Sequence, residues 1–142
     1  MNRIKIQLPA VFSFSTTLSV RITDLNYADH LGNDIVLSIL HEVRQQYLLS
    51  KGFKELNING FGLIMADAVV EYKKEIKYAD KLIVSVVATD FDKIGFDFYY
   101  KIEIDNSAEL ILAVRAKTGM VLYDYSQKKK VTCSEELMKK LK

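Results

Sequence analysis

One stretch of this chain is patterned for a long helix, and nearly everything else is patterned for strands. In residues 33–50, Val36, Leu40, Val43 and Tyr47 recur at helical spacing, and Ile39 and Leu48 widen the apolar stripe. Before it, Phe12 to Ile22 alternates with period two, and after it come four further strand-like runs, Gly62–Ile76, Asp80–Asp92, Ile94–Asp105 and Ala108–Tyr125. The Asp92-Lys93 and Asp105-Asn106-Ser107 connections are short, which predicts antiparallel neighbours and a four-stranded meander. One broad-faced helix must bury its stripe against that sheet, so the expected fold is an α+β two-layer domain over residues 1–142. Asn33 is the expected N-cap, Asp34 suits the first turn, and Gly52 suits a left-handed C-terminal cap. Ser134 is the expected cap of a short last helix, and the alternating Phe96, Phe98 and Tyr100 are expected in the core or a subunit contact.

Between the first strand and the helix lies ITDLNYADHLGND, with three aspartates, two asparagines, a histidine and a glycine. Such a cluster either caps a turn or forms a site. Composition narrows the choice. The 142 residues carry a net charge of only +2, with basic residues dispersed apart from Lys128 to Lys130, which gives nucleic acid no footprint. The single cysteine, Cys133, cannot form an internal disulfide and fits a reducing, cytoplasmic setting. MNRIKIQLPAVFSFS reads as neither a signal peptide nor a membrane span. No zinc pattern, phosphate loop or dinucleotide fingerprint occurs, so no metal and no separate cofactor is expected.

The element order and three motifs around the helix, Asp24-Leu-Asn26, His30-Leu-Gly32-Asn33 and Glu42-Val-Arg44, resemble the 4-hydroxybenzoyl-CoA thioesterase-like family of hotdog-fold acyl-thioester hydrolases. Tyr72 and Ala79-Asp80 match a later part of that pattern, and the likeness runs from Thr17 to Tyr125. It implies one long central helix on a curved antiparallel sheet of about five strands, and hydrolysis of an acyl-CoA or acyl-carrier thioester to acid and thiol. Coenzyme A then enters only as part of the substrate. The sequence departs from the family where many members place a catalytic carboxylate: Asn26 stands there. An amide orients water or a carbonyl but takes no proton at neutral pH, so the base must be another group.

Thioester hydrolysis needs an activated nucleophile and donors for the developing oxyanion. The backbone N–H groups of Leu31, Gly32 and Asn33, at the mouth of a helix, are the expected donors. Asp24 is a candidate base that can equally cap its turn. His30 is a candidate acid or base, because imidazole titrates near neutrality, and can equally bond Asp24 or Asp29. Asp67 interrupts the apolar LIMADAVV, and a carboxylate in a strand covered on both faces needs a partner or a site; it sits either at a plain strand edge or where one subunit brings it to the helix mouth of another. Asp29 and Asp34 are most simply turn and first-turn charges. Asn26 is expected to orient water or substrate, and Tyr27 to shape the site. Glu42 faces the site or pairs with Arg44 or Arg21, and His41 reads as structural. Lys73, Lys74 and Lys77 are possible contacts for the coenzyme A arm.

Two other readings stay open. One is a non-catalytic hotdog protein that binds an acyl thioester or serves in assembly. The other is an enoyl-CoA hydratase, disfavoured because the proline after the Asp-x-Asn is missing and His30 sits one position beyond that family's histidine. A single helix-on-sheet layer leaves an edge and a face uncovered, so a homodimer or homotetramer is expected, with neither membrane nor nucleic acid as partner.

Overall fold

The computed structural model describes residues 1–142. Strand β1 (Phe14–Ser19) passes through a 3-10 turn at Ile22–Asp24 into helix α1 (Asn33–Ser50). Strands β2 (Gly62–Tyr72), β3 (Lys81–Thr89), β4 (Gly95–Asp105) and β5 (Leu110–Asp124), the two-residue β6 (Lys129–Lys130) and helix α2 (Glu135–Leu141) follow. All strands join one antiparallel sheet in the order β1-β3-β4-β5-β2, with β6 beside β5. The result is the expected α+β arrangement, one long helix on a curved sheet. No helix is long and apolar enough to cross a membrane.

The expected meander holds for β3, β4 and β5 and fails for β2. Residues 73–80, between β2 and β3, are longer than the two to five residues typical of a hairpin. They carry the chain along the end of the sheet, so β2 becomes the free edge beside β5 and β3 lies beside β1. On the way, the Ile76 carbonyl accepts from the Leu31 N–H at 2.7 Å. The crossing therefore passes the mouth of α1.

Period-two alternation puts Phe96, Phe98, Tyr100 and Ile102 of β4 on the inner face, toward α1, and all four are buried. Val36, Leu40, Val43, Tyr47 and Leu48 meet them from α1, and the Tyr47 and Phe98 rings pack edge-on at 5.7 Å. Arg44 lies in the same buried stripe. The hydroxyl of Tyr47 donates to the Leu141 carbonyl and docks α2, which Ser134 caps by accepting from the Leu137 N–H at 3.1 Å. Gly52 takes the left-handed conformation expected past α1, with φ +83°.

The helix start differs from expectation. Gly32 is the N-cap and Asn33 the first helical residue, with no side-chain cap bond. Oδ1 of Asp34 curls back toward residue 32, and Gly32 itself has an ordinary φ of −65°.

Candidate active site

The polar cluster folds into a loop that bonds to itself. The Asn26 N–H donates to the His30 carbonyl at 2.9 Å, and Oδ1 of Asn26 accepts from the Ala28 N–H at 2.9 Å in an Asx turn. Asp29 closes the turn with φ 63° and is exposed. Asn26 thus holds the loop. Tyr27 is fully exposed and lines neither of the two cavities described below.

Two of the three expected oxyanion donors are already used. The Leu31 N–H bonds Ile76, and the Gly32 N–H donates to the Asp24 carbonyl at 3.1 Å. The Asn33 and Asp34 N–H groups, in the first turn of α1, have no backbone partner. The donor pair at the helix mouth is therefore shifted one step into the helix, where the dipole is also most favourable.

Beside this mouth lies a cavity of about 210 Å³, lined by His30, Leu31 and Asn33 on one side and by Tyr72, Lys73 and Glu75 on the other. Nδ1 of His30 is 3.3 Å from the Leu31 carbonyl oxygen. A carbonyl can only accept, so this bond places the proton on Nδ1 and leaves the Nε2 lone pair free. Nε2 lies 3.9 Å from Oε1 of Glu75, a carboxylate ready to balance an imidazolium. The Tyr72 hydroxyl donates to the Asn33 carbonyl at 3.0 Å and holds the two walls together. Burial, then the nearby Asp34 charge, raises the Tyr72 pKa and keeps it a donor. Lys73 lies 3.4 Å from Glu71, just outside the wall.

The remaining candidates lie elsewhere. Asp24 is buried at the 3-10 turn, where its carboxylate accepts from the Arg21 N–H at 2.9 Å and from the Arg21 guanidinium at 3.2 Å. It lines a different cavity of about 510 Å³, together with Glu42, Ile35, Ile39 and Leu18. Glu42 pairs with neither Arg21 nor Arg44; it accepts from Gln46 at 2.9 Å. The larger cavity thus holds carboxylates already engaged, whereas the smaller is lined by His30 and by Asn33, the first residue of α1.

Asp67 takes the strand-edge position. It pairs in register with Gly119, and alternation from the buried Thr118 puts both on the outer face, away from α1. Its side chain is 60% exposed and meets Lys117 at 3.0 Å and the Gly119 N–H at 2.9 Å. The Lys117 ammonium, helped by the Gly119 N–H, outweighs the opposing effect of burial and lowers its pKa. β2 is an edge strand, and a β-bulge between Met65 and Asp67 turns this segment outward, so the apolar neighbours do not bury it. Asp67 lines neither the His30 cleft nor the Asp24 cavity of its own chain.

Sequence reasoning missed Glu75 and gave Tyr72 no task. Both lie some forty residues from the helix mouth along the chain, and only the crossing at 73–80 brings them there.

One long helix on a curved antiparallel sheet, with a polar loop at the helix mouth, defines a hotdog-type α+β protein. The chain belongs to the thioesterase-like superfamily, whose family model matches residues 20–141. Among solved structures it is similar to a 1,4-dihydroxy-2-naphthoyl-CoA thioesterase from Synechocystis, at 23% identity over 90% of this chain and 94% of that one, with a TM-score of 0.79. It is also similar to a 4-hydroxybenzoyl CoA thioesterase variant complexed with 4-hydroxybenzoyl CoA, at 12% identity over 91% and 98% of the two chains, with a TM-score of 0.81. YbaW, a probable thioesterase from Escherichia coli, matches at 17% identity over 91% and 96%, with a TM-score of 0.74. At these identities the likeness is one of fold. No curated protein matches the sequence.

Proposed function

We propose that this chain hydrolyses acyl-CoA thioesters in the cleft at the mouth of α1, with His30 as general base. The observation that carries the proposal is the bond from Nδ1 of His30 to the Leu31 carbonyl, which leaves Nε2 as the only unprotonated nitrogen of the imidazole in this cleft. A water held by Nε2 attacks the thioester carbonyl as its proton passes to the imidazole. The Asn33 and Asp34 N–H groups receive the negative oxygen that forms. Glu75 balances the imidazolium, which returns the proton to the departing thiolate. Asn26, in the place of the family's acid, keeps the loop that carries His30 in shape.

Lys73 and Lys74 line the cleft and suit the phosphates of coenzyme A, whether free or as a carrier-protein arm. The chemistry asks for no cofactor beyond the coenzyme A of the substrate. A homodimer formed through β2 accounts for the free edge of that strand and for the exposure of Met65 and Ala68 on its inner face. A cytoplasmic setting fits the lone, reduced Cys133.

A second reading is a non-catalytic acyl-thioester binder. It is favoured by Asn26 in the acid's place and by the prior engagement of Asp24 and Asp67. Thiol release from a panel of acyl-CoAs separates the two. Hydrolysis by the wild type and a loss of roughly a hundredfold or more in His30→Gln supports the base. Tight acyl-CoA binding with no thiol release on any substrate establishes the binder instead.

A further inference from the structure

The crossing at residues 73–80 ends in a turn whose backbone is strained. The Asp80 N–H donates to the Lys77 carbonyl at 3.1 Å, and Ala79, between them, has φ 66°. A turn closed by that bond, with only its third residue left-handed, has the type II pattern and favours glycine at that residue. In this conformation the alanine Cβ crowds the carbonyl that follows it, and its side chain offers no hydrogen bond in return. Such a turn persists only where its surroundings hold it.

Asp80 supplies one hold. Its Oδ2 accepts from the Lys77 N–H at 2.8 Å, so side chain and backbone close the same turn twice. Val20 supplies the other: the Ala79 N–H donates to its carbonyl at 3.3 Å, and its N–H donates to the Asp80 carbonyl at 3.2 Å. The same crossing carries the His30 end of the polar loop. His30 and Lys77 form an isolated antiparallel bridge, and the Leu31 N–H donates to the Ile76 carbonyl at 2.7 Å. The Leu31 carbonyl is in turn the acceptor for Nδ1 of His30. The Glu75 side chain is 67% exposed and has only His30 as a partner, so this backbone alone keeps it near Nε2. Val20 precedes the polar loop and His30 and Leu31 end it, so the turn and the residues leading into it clasp both ends.

We infer that Asp80 is a positioning residue of the candidate site: its carboxylate holds the strained turn at Ala79, and through Lys77 and Ile76 that turn fixes the orientation of the His30 imidazole and the place of Glu75. Its consequence for catalysis rests on the thioesterase reading of the His30 cleft, whereas its effect on the imidazole is read without any substrate. Without the Asp80 acceptor, the Lys77 N–H turns to water and Ala79 is free to leave the left-handed region. The Ile76 carbonyl then no longer fixes Leu31, and the Nδ1 bond that selects the tautomer of His30 loses its set geometry.

The test joins kinetics on a panel of acyl-CoAs to long-range proton–nitrogen NMR spectra of the imidazoles. The chain has two histidines, and His41, which meets Glu55 at 3.2 Å, contacts neither the turn nor the loop and serves as the internal control. In Asp80→Ala, kcat is expected to fall about tenfold or more with KM within about threefold, because a base displaced by a fraction of an ångström loses its alignment while the binding contacts remain. His30 is expected to leave the Nδ1-protonated form while the His41 signals stay as in wild type. Asp80→Asn keeps an oxygen acceptor for the Lys77 N–H and is expected to retain most of kcat and the wild-type His30 signals. Ala79→Gly added to Asp80→Ala removes the strain, and is expected to restore much of both. If Asp80→Ala does not fold, Asp80→Glu, which moves the acceptor one bond outward, is expected to give the same losses. Unchanged His30 signals in the variant that folds overturn the inference, whatever its rate or thermal stability, and so does an unchanged kcat where the wild type hydrolyses its substrate. If the wild type cleaves no thioester yet His30 changes its form when Asp80 is replaced, the positioning stands and hydrolysis falls. Unchanged His30 signals in an inert protein sink both.

Discussion

The Tyr72 hydroxyl donates to the Asn33 carbonyl at 3.0 Å, joining the last residue of β2 to the first residue of α1. The bond spans the mouth of the candidate cleft, and Tyr72 is half exposed. Its loss in Tyr72→Phe removes one hydrogen bond near solvent, which costs no more than about 1 kcal/mol of stability. It also frees the cleft wall relative to the first-turn N–H groups. Thermal unfolding of the variant is expected within a few degrees of wild type, while kcat/KM for its best acyl-CoA falls several-fold. Unchanged kinetics would show that the wall needs no brace.

Asp24 gives the chain an acid-sensitive element. Burial raises its pKa, but the backbone N–H and guanidinium of Arg21 lower it further, and it ends below the ordinary 3.8. A carboxyl depressed in the folded state stabilises the fold above its unfolded value and loses that contribution as pH falls through its folded value. Asp24→Asn is expected to cost about 1 kcal/mol at neutral pH. The difference from wild type should shrink as the medium is acidified below that range. Urea midpoints across pH check this; a gap that stays constant down to the acid limit contradicts it.

What the sequence made legible was local. The helical period of α1, the alternation of β4 and the Ser134 cap follow from neighbours a few residues apart, and all three are present. The place of β2 depends on where residues 73–80 cross, a choice made by packing at the end of the sheet, so a plain meander was the natural expectation. Asp67 looked enclosed because its sequence neighbours are apolar, but an edge strand with a bulge leaves its outer face in water. Arg44 looked like a surface partner for Glu42. Its burial depends on Glu55, Tyr100 and Thr118, which no local pattern places around it. His30 was legible as a candidate from the polar cluster, while Glu75 was not, because their proximity exists only in the folded chain.

The Arg44–Glu55 pair makes a second stability prediction. The arginine is nearly buried and the glutamate side chain is 19% exposed, so breaking the pair strands a charge in a poorly solvated place. Arg44→Met also removes the partner of the Tyr100 hydroxyl. It is expected to cost about 3 kcal/mol. Glu55→Leu should cost less, because Arg44 keeps Tyr100 and a route to solvent. The double variant is expected to be more stable than Arg44→Met alone, since Glu55 is then gone instead of being left with only His41, 3.2 Å away, beside it. Denaturant unfolding of the four proteins supplies the cycle, and strictly additive costs would mean that the two side chains do not interact.

His30 carries the most direct kinetic prediction. As a general base it works only while Nε2 is unprotonated, so kcat/KM must fall with acidification along a limb governed by one ionisation. Glu75→Gln removes the carboxylate 3.9 Å from Nε2, so the maximum rate is expected to fall, because the imidazolium formed during attack loses its counter-charge. His30→Gln is expected to abolish the limb and leave a low rate supported by the Asn33 and Asp34 N–H groups. The two variants separate catalysis from structure: a purely structural His30 lowers stability in His30→Gln but leaves the shape of the pH profile intact in both. An acid limb that survives in His30→Gln assigns the base to another residue.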